Sequence, residues 1–437
     1  MTMTTIMGMA TVIAATTTIK RRGRQMANGD VDVVIVGGGA AGLAAAGRLR
    51  GSELRHLVVE ARSRLGGRAW TVATDSGPVD LGCGWLHSAD RNPWVGVAQQ
   101  QGRTIDKTPP PWMRPSLSFG FPHTEQREFI EARQAFDDAV EAAAERADGP
   151  ASALLDRNGR WHNLIAAVST FVTGAELTKV SVHDLARYHD TGVNWRIVEG
   201  LGATSAAYGA DIPVALDCAV SRIDHSGRRV RLETASGAIT ADQAIITLPT
   251  SMLSDERLFA PALPDKTAAA QGLPLGLDDK LFISLDGAEE FETDSRLFGR
   301  TDRVGTGAYH LRPFGRPQIE GYFGGALAGE LEAAGDRGFF DFAVEELVGL
   351  LGSGFARRVR PLHVHRWGAD PFARGAYSYA LPGKADGRAA LARPIDDRLF
   401  FAGEACSLHD FSTVHGAWRS GVKAAADVMS ARAKRHR

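Results

Sequence analysis

Only three cysteines, Cys83, Cys218 and Cys406, occur in 437 residues, and they stand far apart. An odd, scattered set cannot build a disulfide framework and suits a reducing compartment, so a cytoplasmic location is expected. Net charge is nearly absent as well, with 50 Lys and Arg against 51 Asp and Glu. Nucleic acids and anionic membranes need a basic face, so neither is expected as a partner. No run reaches the ~18 apolar residues of a membrane span, and the C-terminal SARAKRHR is hydrophilic. The sequence shows no internal repeat.

What the chain does have is length, glycine and buried-strand patterns. A chain of 437 residues exceeds what one core usually organises, so two domains are the default. Its 49 glycines suit a fold in which backbone closely approaches a ligand. Residues 1–28 read as a disordered leader: MTMTTIMGMATVIAATTTIK has no periodicity, and the basic cluster KRRGR follows it. A secretory signal carries its charges before its apolar run, which is the reverse order.

VDVVIVGGGAAGLAAAGRL (Val31 to Leu49) reads as a buried strand, a glycine turn and an Ala/Leu-rich helix. HLVVE, ending at Glu60, is a second strand, and RSRLGGR is a tight loop after it. TPPPWMRP (Thr108 to Pro115) is a stiff connector, and helical patterns run from Glu125 to about Tyr188. Val220 to Asp224, Val230 to Thr234 and Ala238 to Ala241 form a meander, with AIITLP (Ala244 to Pro249) a separate buried strand. Near the C-terminus, RLFFAGE is a strand leading into a turn, and HGAWRSGVKAAADVM is a closing helix.

Gly37, Gly39 and Gly42 make GxGxxG between a strand and a helix. The first glycine permits the turn, the second lets a pyrophosphate approach the backbone, and the third lets helix and strand pack closely. The helix N-terminus favours phosphate charge. Glu60 stands 18 residues after Gly42, where a carboxylate can accept from ribose hydroxyls. Strand, helix and spaced acid together point to a dinucleotide.

FAGEACSLHDFSTVHGAWRSG (Phe401 to Gly421) puts Glu404, Cys406, His409, Asp410 and His415 close together. Its spacing matches no common zinc pattern, and neither does His363/His365, so no metal is expected. Cys406 is expected to be a small packed residue and not a Cys–His nucleophile.

Five ordered blocks carry a wider likeness: EARSRLGGRAW, LGCGWLHSADRNP, PLGLDDK, WGADPFARGAYSYALPG and the opening glycine stretch. With them the chain from Val31 to Met429 resembles the FAD-dependent amine oxidase family of monoamine and polyamine oxidases, flavin-type histone demethylases and L-amino-acid oxidases. The resemblance implies an α/β fold: a Rossmann-related FAD domain of glutathione-reductase-like type with an interleaved α+β substrate domain. The FAD domain would comprise residues 29–106, 199–255 and 391–437, and the substrate domain 107–198 and 256–390.

It further implies a set of FAD contacts. Gly37, Gly39, Ala41, Gly42, Glu60 and Arg62 would hold the ADP half, with Val220 nearby. Gly67, Arg68, Gly84, Trp85, Gly403, Glu404, Thr413 and Val414 would hold the flavin half. Glu404 would bond the ribityl or phosphate portion directly. Lys280 would serve flavin N5 through a water, and Tyr377 with Trp367 would wall the amine site. His87 falls where polyamine oxidases place a histidine near substrate, and Thr413 stands at the second cage position. Ala376 precedes Tyr377 where monoamine oxidases carry the FAD-linking cysteine, so non-covalent FAD is implied. The implied reaction is oxidation of an amine C–N bond, with O2 reduced to H2O2.

An L-amino-acid oxidase is the alternative, and it needs an arginine to fork onto a carboxylate, for which Arg114, Arg196 and Arg312 are candidates. A flavin-binding scaffold protein is the non-enzymatic alternative.

Overall fold

A computed structural model describes residues 31–435, so the leader expected over 1–28 lies outside the described residues. The apolar run Val31–Val36 is β1, buried on both faces, as a central parallel strand requires. Gly37 turns the chain with φ +108° into α1 (Ala40–Leu49), and β2 (His56–Val59) returns beside β1. β3 (Val214–Ala215), β4 (Val220–Asp224), β5 (Val230–Thr234), β6 (Gly237–Ile246) and β7 (Phe259–Ala260) complete a sheet of order β7-β4-β5-β6-β1-β2-β3. Leu399–Phe401 adds to it beside β6.

The segment expected as two strands is one. β6 runs ten residues: Gly237 to Ala241 pair antiparallel with β5, and Ala241 to Ile246 pair parallel with β1. Its exposure falls from open to buried along its length, so the amphipathic and apolar halves read as separate elements.

A second sheet faces the first across the molecule's main cavity. It comprises β8 (Asp278–Leu285), β9 (Ser295–Phe298), β10 (Ala308–Leu311), β11 (Gln318–Gly324) and β12 (Val359–Val364), in the antiparallel order β9-β10-β11-β8-β12. Side chains alternate faces along a strand. Leu281, Ile283, Leu297, Leu311, Ile319 and Phe323 form one apolar face. α4 (Gly325–Leu351) covers it through Leu327, Leu331, Phe339 and Leu347. The other face carries Asp278, Lys280, Arg296, His310, Glu320 and Tyr322, in register across the strands. α2 (His123–Ala143) and α3 (His162–Thr173) line the cavity on another side.

The two ends of the described chain meet. α5 (Val414–Arg435) lies against α1 so closely that a Cβ on Gly421 would stand 2.1 Å from the Ala41 carbonyl oxygen. Among the described residues, no helix is long and apolar enough to cross a membrane.

Candidate active site

One cavity of about 1230 Å³ runs from the glycine turn to the polar face of the second sheet. Gly37, Gly39, Ala41, Glu60, Arg62, Gly67, Arg68, Gly84, Trp85, His87, Val220, Lys280, Trp367, Tyr377, Gly403, Glu404, Thr413 and Val414 all line it. Gly42 does not, and its place explains why: an added Cβ would sit 1.9 Å from Gly37 O, so this glycine serves packing behind the turn.

The dinucleotide end is built largely from backbone. A Cβ on Gly39 would meet nothing nearer than 3.9 Å, and one on Gly403 nothing within 4 Å, so both leave room on the cavity side. No side chain caps α1 at Gly39, which leaves its first N–H groups for a phosphate. The LGGR loop docks on this turn, with Gly66 N donating to Gly38 O at 2.9 Å. The Glu60 carboxylate accepts from Gly38 N at 2.7 Å and Arg62 N at 2.8 Å, which fixes it at the end of β2. Open glycine cradle, free helix start and spaced acid together fit the ADP half of FAD.

Three expected contacts are differently employed. Glu404 does not offer its carboxylate to a ligand: Oε1 accepts from Arg68 and from Ser378 N, and Oε2 from Ser378 Oγ and Ser412 N. A carboxylate has about four lone-pair sites, and all are taken by protein. Burial opposes its charge, but Arg68 and these donors keep it below the usual carboxylate range. It ties the C-terminal turn to Arg68 and to the strand-like segment at Ser378. Arg62 likewise forks onto Asp370, at 2.7 and 2.8 Å, and contacts a ligand only with what that pairing leaves. The Thr413 hydroxyl donates to Asp410 O and accepts from Gly416 N, capping α5, so it is not a cage group and only its remaining surface faces the cavity.

The cluster at Glu404, Cys406, His409, Asp410 and His415 largely disperses, with only Asp410 Oδ1 and His415 Nε2 left within 3.4 Å of each other. Cys406 packs with apolar neighbours, and burial pushes its thiol up to about 12, so it stays protonated. His409 stacks on His189 at 4.7 Å, while Asp410 bonds Arg419. The second candidate pair is no closer to a metal nest, since His365 Nε2 bonds Asp370 at 3.0 Å.

The opposite end is built from charged side chains. Lys280 Nζ lies 2.9 Å from Glu320 Oε1 and donates to Asp80 O at 3.2 Å. Burial alone would strip its proton, but Glu320 and the Tyr322 ring region hold it above its ordinary value. Behind it, Glu320 Oε2 is 3.7 Å from His310 Nδ1, and His310 Nε2 is 2.9 Å from Asp294 Oδ1. Arg196 then bridges Asp294 at 2.9 Å and Asp106 at 2.6 Å.

Trp367 is fixed at both ends: Nε1 donates to Leu81 O and its backbone N to Asp279 Oδ1, each at 3.0 Å. The Tyr377 hydroxyl donates to Phe171 O in α3. His87 Nδ1 is 2.7 Å from Asn194 Oδ1 and 3.7 Å from Asp190, further along the wall.

Sequence reasoning missed three groups here. Glu320 and Arg296 sit on strands whose motifs say nothing, and only the cross-strand register brings Arg296 to the cavity and Glu320 behind Lys280. Asp278 was inside the quoted PLGLDDK block and could have been found, since it is two residues before Lys280 and so shares its strand face. Its Oδ1 is buried without a partner, and burial pushes its carboxyl up to about 8. The arginines proposed for a carboxylate are elsewhere. Arg196 is in the ion chain, Arg114 donates to Asp294 O, and Arg312 donates to Phe291 O at 2.7 Å.

A family model described as flavin containing amine oxidoreductase matches residues 116–429, and one described as an NAD(P)-binding Rossmann-like domain matches 35–99. The chain is 28% identical over 434 residues to polyamine oxidase 5 of Oryza sativa subsp. japonica, covering 90% of this chain and 87% of that protein. It is 28% identical to a lysine-specific histone demethylase 1 homolog 2 from the same plant, covering 91% of this chain and 57% of the other. Among solved structures, cyclohexylamine oxidase from Brevibacterium oxydans superposes with a TM-score of 0.75 at 21% identity, over 94% of this chain and 100% of that one. Putrescine oxidase bound to putrescine superposes with a TM-score of 0.74 at 19% identity, over 92% and 99%. These two share the fold.

Proposed function

Because this chain belongs to the family of flavin-containing amine oxidoreductases and is an FAD-dependent amine oxidase, we propose how its residues divide that reaction and what kind of amine it takes. FAD, when bound, supplies the two-electron acceptor for hydride leaving the amine's α-carbon. The chain's own part is to bind, orient and manage protons. Residues 29–106, 199–255 and 391–437 form the FAD domain in this reading, and 107–198 with 256–390 close the amine site over it.

The amine nitrogen lies between Tyr377 and Asp278. It must be neutral when its C–H bond breaks, and Asp278, with an unpartnered oxygen in the wall, is the group that exchanges its proton. Trp367, immobile at both ends, shapes the site. Lys280 holds a fixed positive charge beside it and orients a water, and Glu320 keeps that charge in place. O2 is the electron acceptor, leaving as H2O2, and the imine hydrolyses in solution.

The relatives' names bring polyamines as substrates to test. The cavity wall favours a different arm, because Phe129, Phe136, Val140, Val168 and Phe171 line it from α2 and α3. An amine with an apolar body fits such a wall better than a chain of ammonium groups. The single observation that carries the reading is the continuity of the cavity from the glycine cradle to the Lys280 face.

The test is anaerobic mixing of the FAD-loaded protein with benzylamine, alkylamines, putrescine and spermidine, following flavin bleaching, then air with peroxide detection. Bleaching by alkylamines or benzylamine with peroxide release is expected. Bleaching by α-amino acids alone would overturn the reading.

A further inference from the structure

Arg296 is a cation without a counter-ion in the wall of this cavity. Of the other cations lining the same space, Arg62, Arg68, Arg133 and Lys280 each have a carboxylate partner, Asp370, Glu404, Asp137 and Glu320 respectively, and Arg374 is exposed to solvent. No carboxylate among the described residues pairs with Arg296, and no carbonyl receives its N–H groups; the Phe298 ring lies 4.2 Å from its Cζ. Burial draws its pKa down to about 10, so it remains charged at neutral pH. Placing an unpaired guanidinium in a half-buried wall costs free energy unless something repays the lost hydration. A guanidinium is also the side chain whose planar fork matches a carboxylate.

Its position along the sheet sets what that something is. Arg296 pairs with His310 on β10, His310 with Glu320 on β11, and Glu320 with Phe282 on β8, so Arg296 shares the face of Lys280 and Asp278. Three strand spacings separate β9 from β8, about 14 Å. Asp278 thus stands at the reacting end and Arg296 at the far end, with the apolar residues of α2 and α3 alongside.

We propose that Arg296 is a specificity-determining residue that binds a carboxylate at the far end of the substrate, so that the substrate class is an ω-amino acid with an aliphatic chain. The inference rests on the amine site proposed above. The separation disfavours an α-amino acid, whose carboxylate is one carbon from the reacting centre. It also disfavours long polyamines, whose distal ammonium would face a like charge.

The experiment compares matched pairs, hexylamine with ω-aminohexanoate and octylamine with ω-aminooctanoate, in the FAD-loaded wild type and in Arg296→Gln. In the wild type, the acid of at least one pair is expected to exceed its parent amine in kcat/KM by tenfold or more, mainly through KM. Arg296→Gln removes that advantage and leaves the parent amine within about twofold. A binding readout accompanies it: octanoate raises the Tm of the wild type, octanol does so less, and the variant loses the difference. Oxidation of alkylamines or spermidine with no preference for the acids, and no octanoate effect, overturns the Arg296 inference while the proposed amine site stands. Failure of every amine to bleach bound flavin overturns the amine site itself. If Arg296→Gln fails to fold, Arg296→Lys, which keeps the charge but loses the fork, is expected to retain part of the preference.

Discussion

The two ends of the cavity are made of different material. At the dinucleotide end the contacts come from glycines, helix starts and one carboxylate, most of them within the short stretch from Gly37 to Arg68. At the amine end they come from Asp278, Lys280, His310 and Arg296, gathered from three strands by sheet register, with Glu320 of a fourth holding Lys280. The first end is set by where backbone leaves room, and the second by where charge is placed. A backbone cradle is rigid and generic, suited to a cofactor held the same way throughout a family. A charged sheet face can be rewritten one residue at a time, which suits substrate choice.

The sharpest break at the first end separates packing from ligand room. Gly42→Ala would place a methyl 1.9 Å from Gly37 O, whereas Gly39→Ala meets no protein atom nearer than 3.9 Å. Gly42→Ala is expected to abolish soluble, FAD-retaining protein. Gly39→Ala should fold with an apo Tm near wild type yet bind FAD at least tenfold more weakly. A fluorescence titration with FAD and a melting curve for each variant check this, and equal behaviour would erase the distinction.

At the other end, Lys280→Met is expected to slow flavin reoxidation by O2 at least tenfold, about 1.4 kcal/mol of barrier. It also leaves the buried Glu320 carboxylate with only His310 beside it, a loss of up to about 3–5 kcal/mol. Lys280→Met combined with Glu320→Gln should therefore melt higher than Lys280→Met alone. Glu320→Gln by itself removes the carboxylate that holds Lys280 charged, leaving Asp80, Asp278 and Tyr322 around it. A buried lysine then loses its proton as pH rises. Reoxidation that is flat with pH in the wild type should fall with rising pH in the variant, and stopped-flow across the alkaline range reads it.

Asp278 gives a smaller, signed effect on stability. Its folded-state pKa of about 8 lies above the ordinary value of 3.8. Between those values the folded state keeps a proton that the unfolded state has released, so this group's contribution weakens as pH rises through that window. Asp278→Asn should raise the apo Tm near pH 8 and leave it unchanged near pH 4; a uniform shift at both would reject the assignment. The least effect is expected of Thr413→Ala, which removes the α5 cap for about 1 kcal/mol and should lower Tm slightly without altering amine specificity.

Legibility followed the same division. GxGxxG and Glu60 could be read because turn, helix start and acid lie between Gly37 and Glu60, where local geometry decides position. The division of β6 into two strands failed because one strand changes from half-exposed to buried along its length. Glu404 was read only as a ligand contact, since the sequence could not show Ser378 and Ser412 around it.

The sequence by itself determined the dinucleotide fold, the return of the C-terminal strand to the dinucleotide sheet, and the lysine facing the cavity. Each follows from glycine sterics, apolar periodicity or a contiguous motif. Only the tertiary structure decided which charges are paired and which are left open. Pairing depends on distances between residues far apart in the chain, and no local pattern encodes those distances.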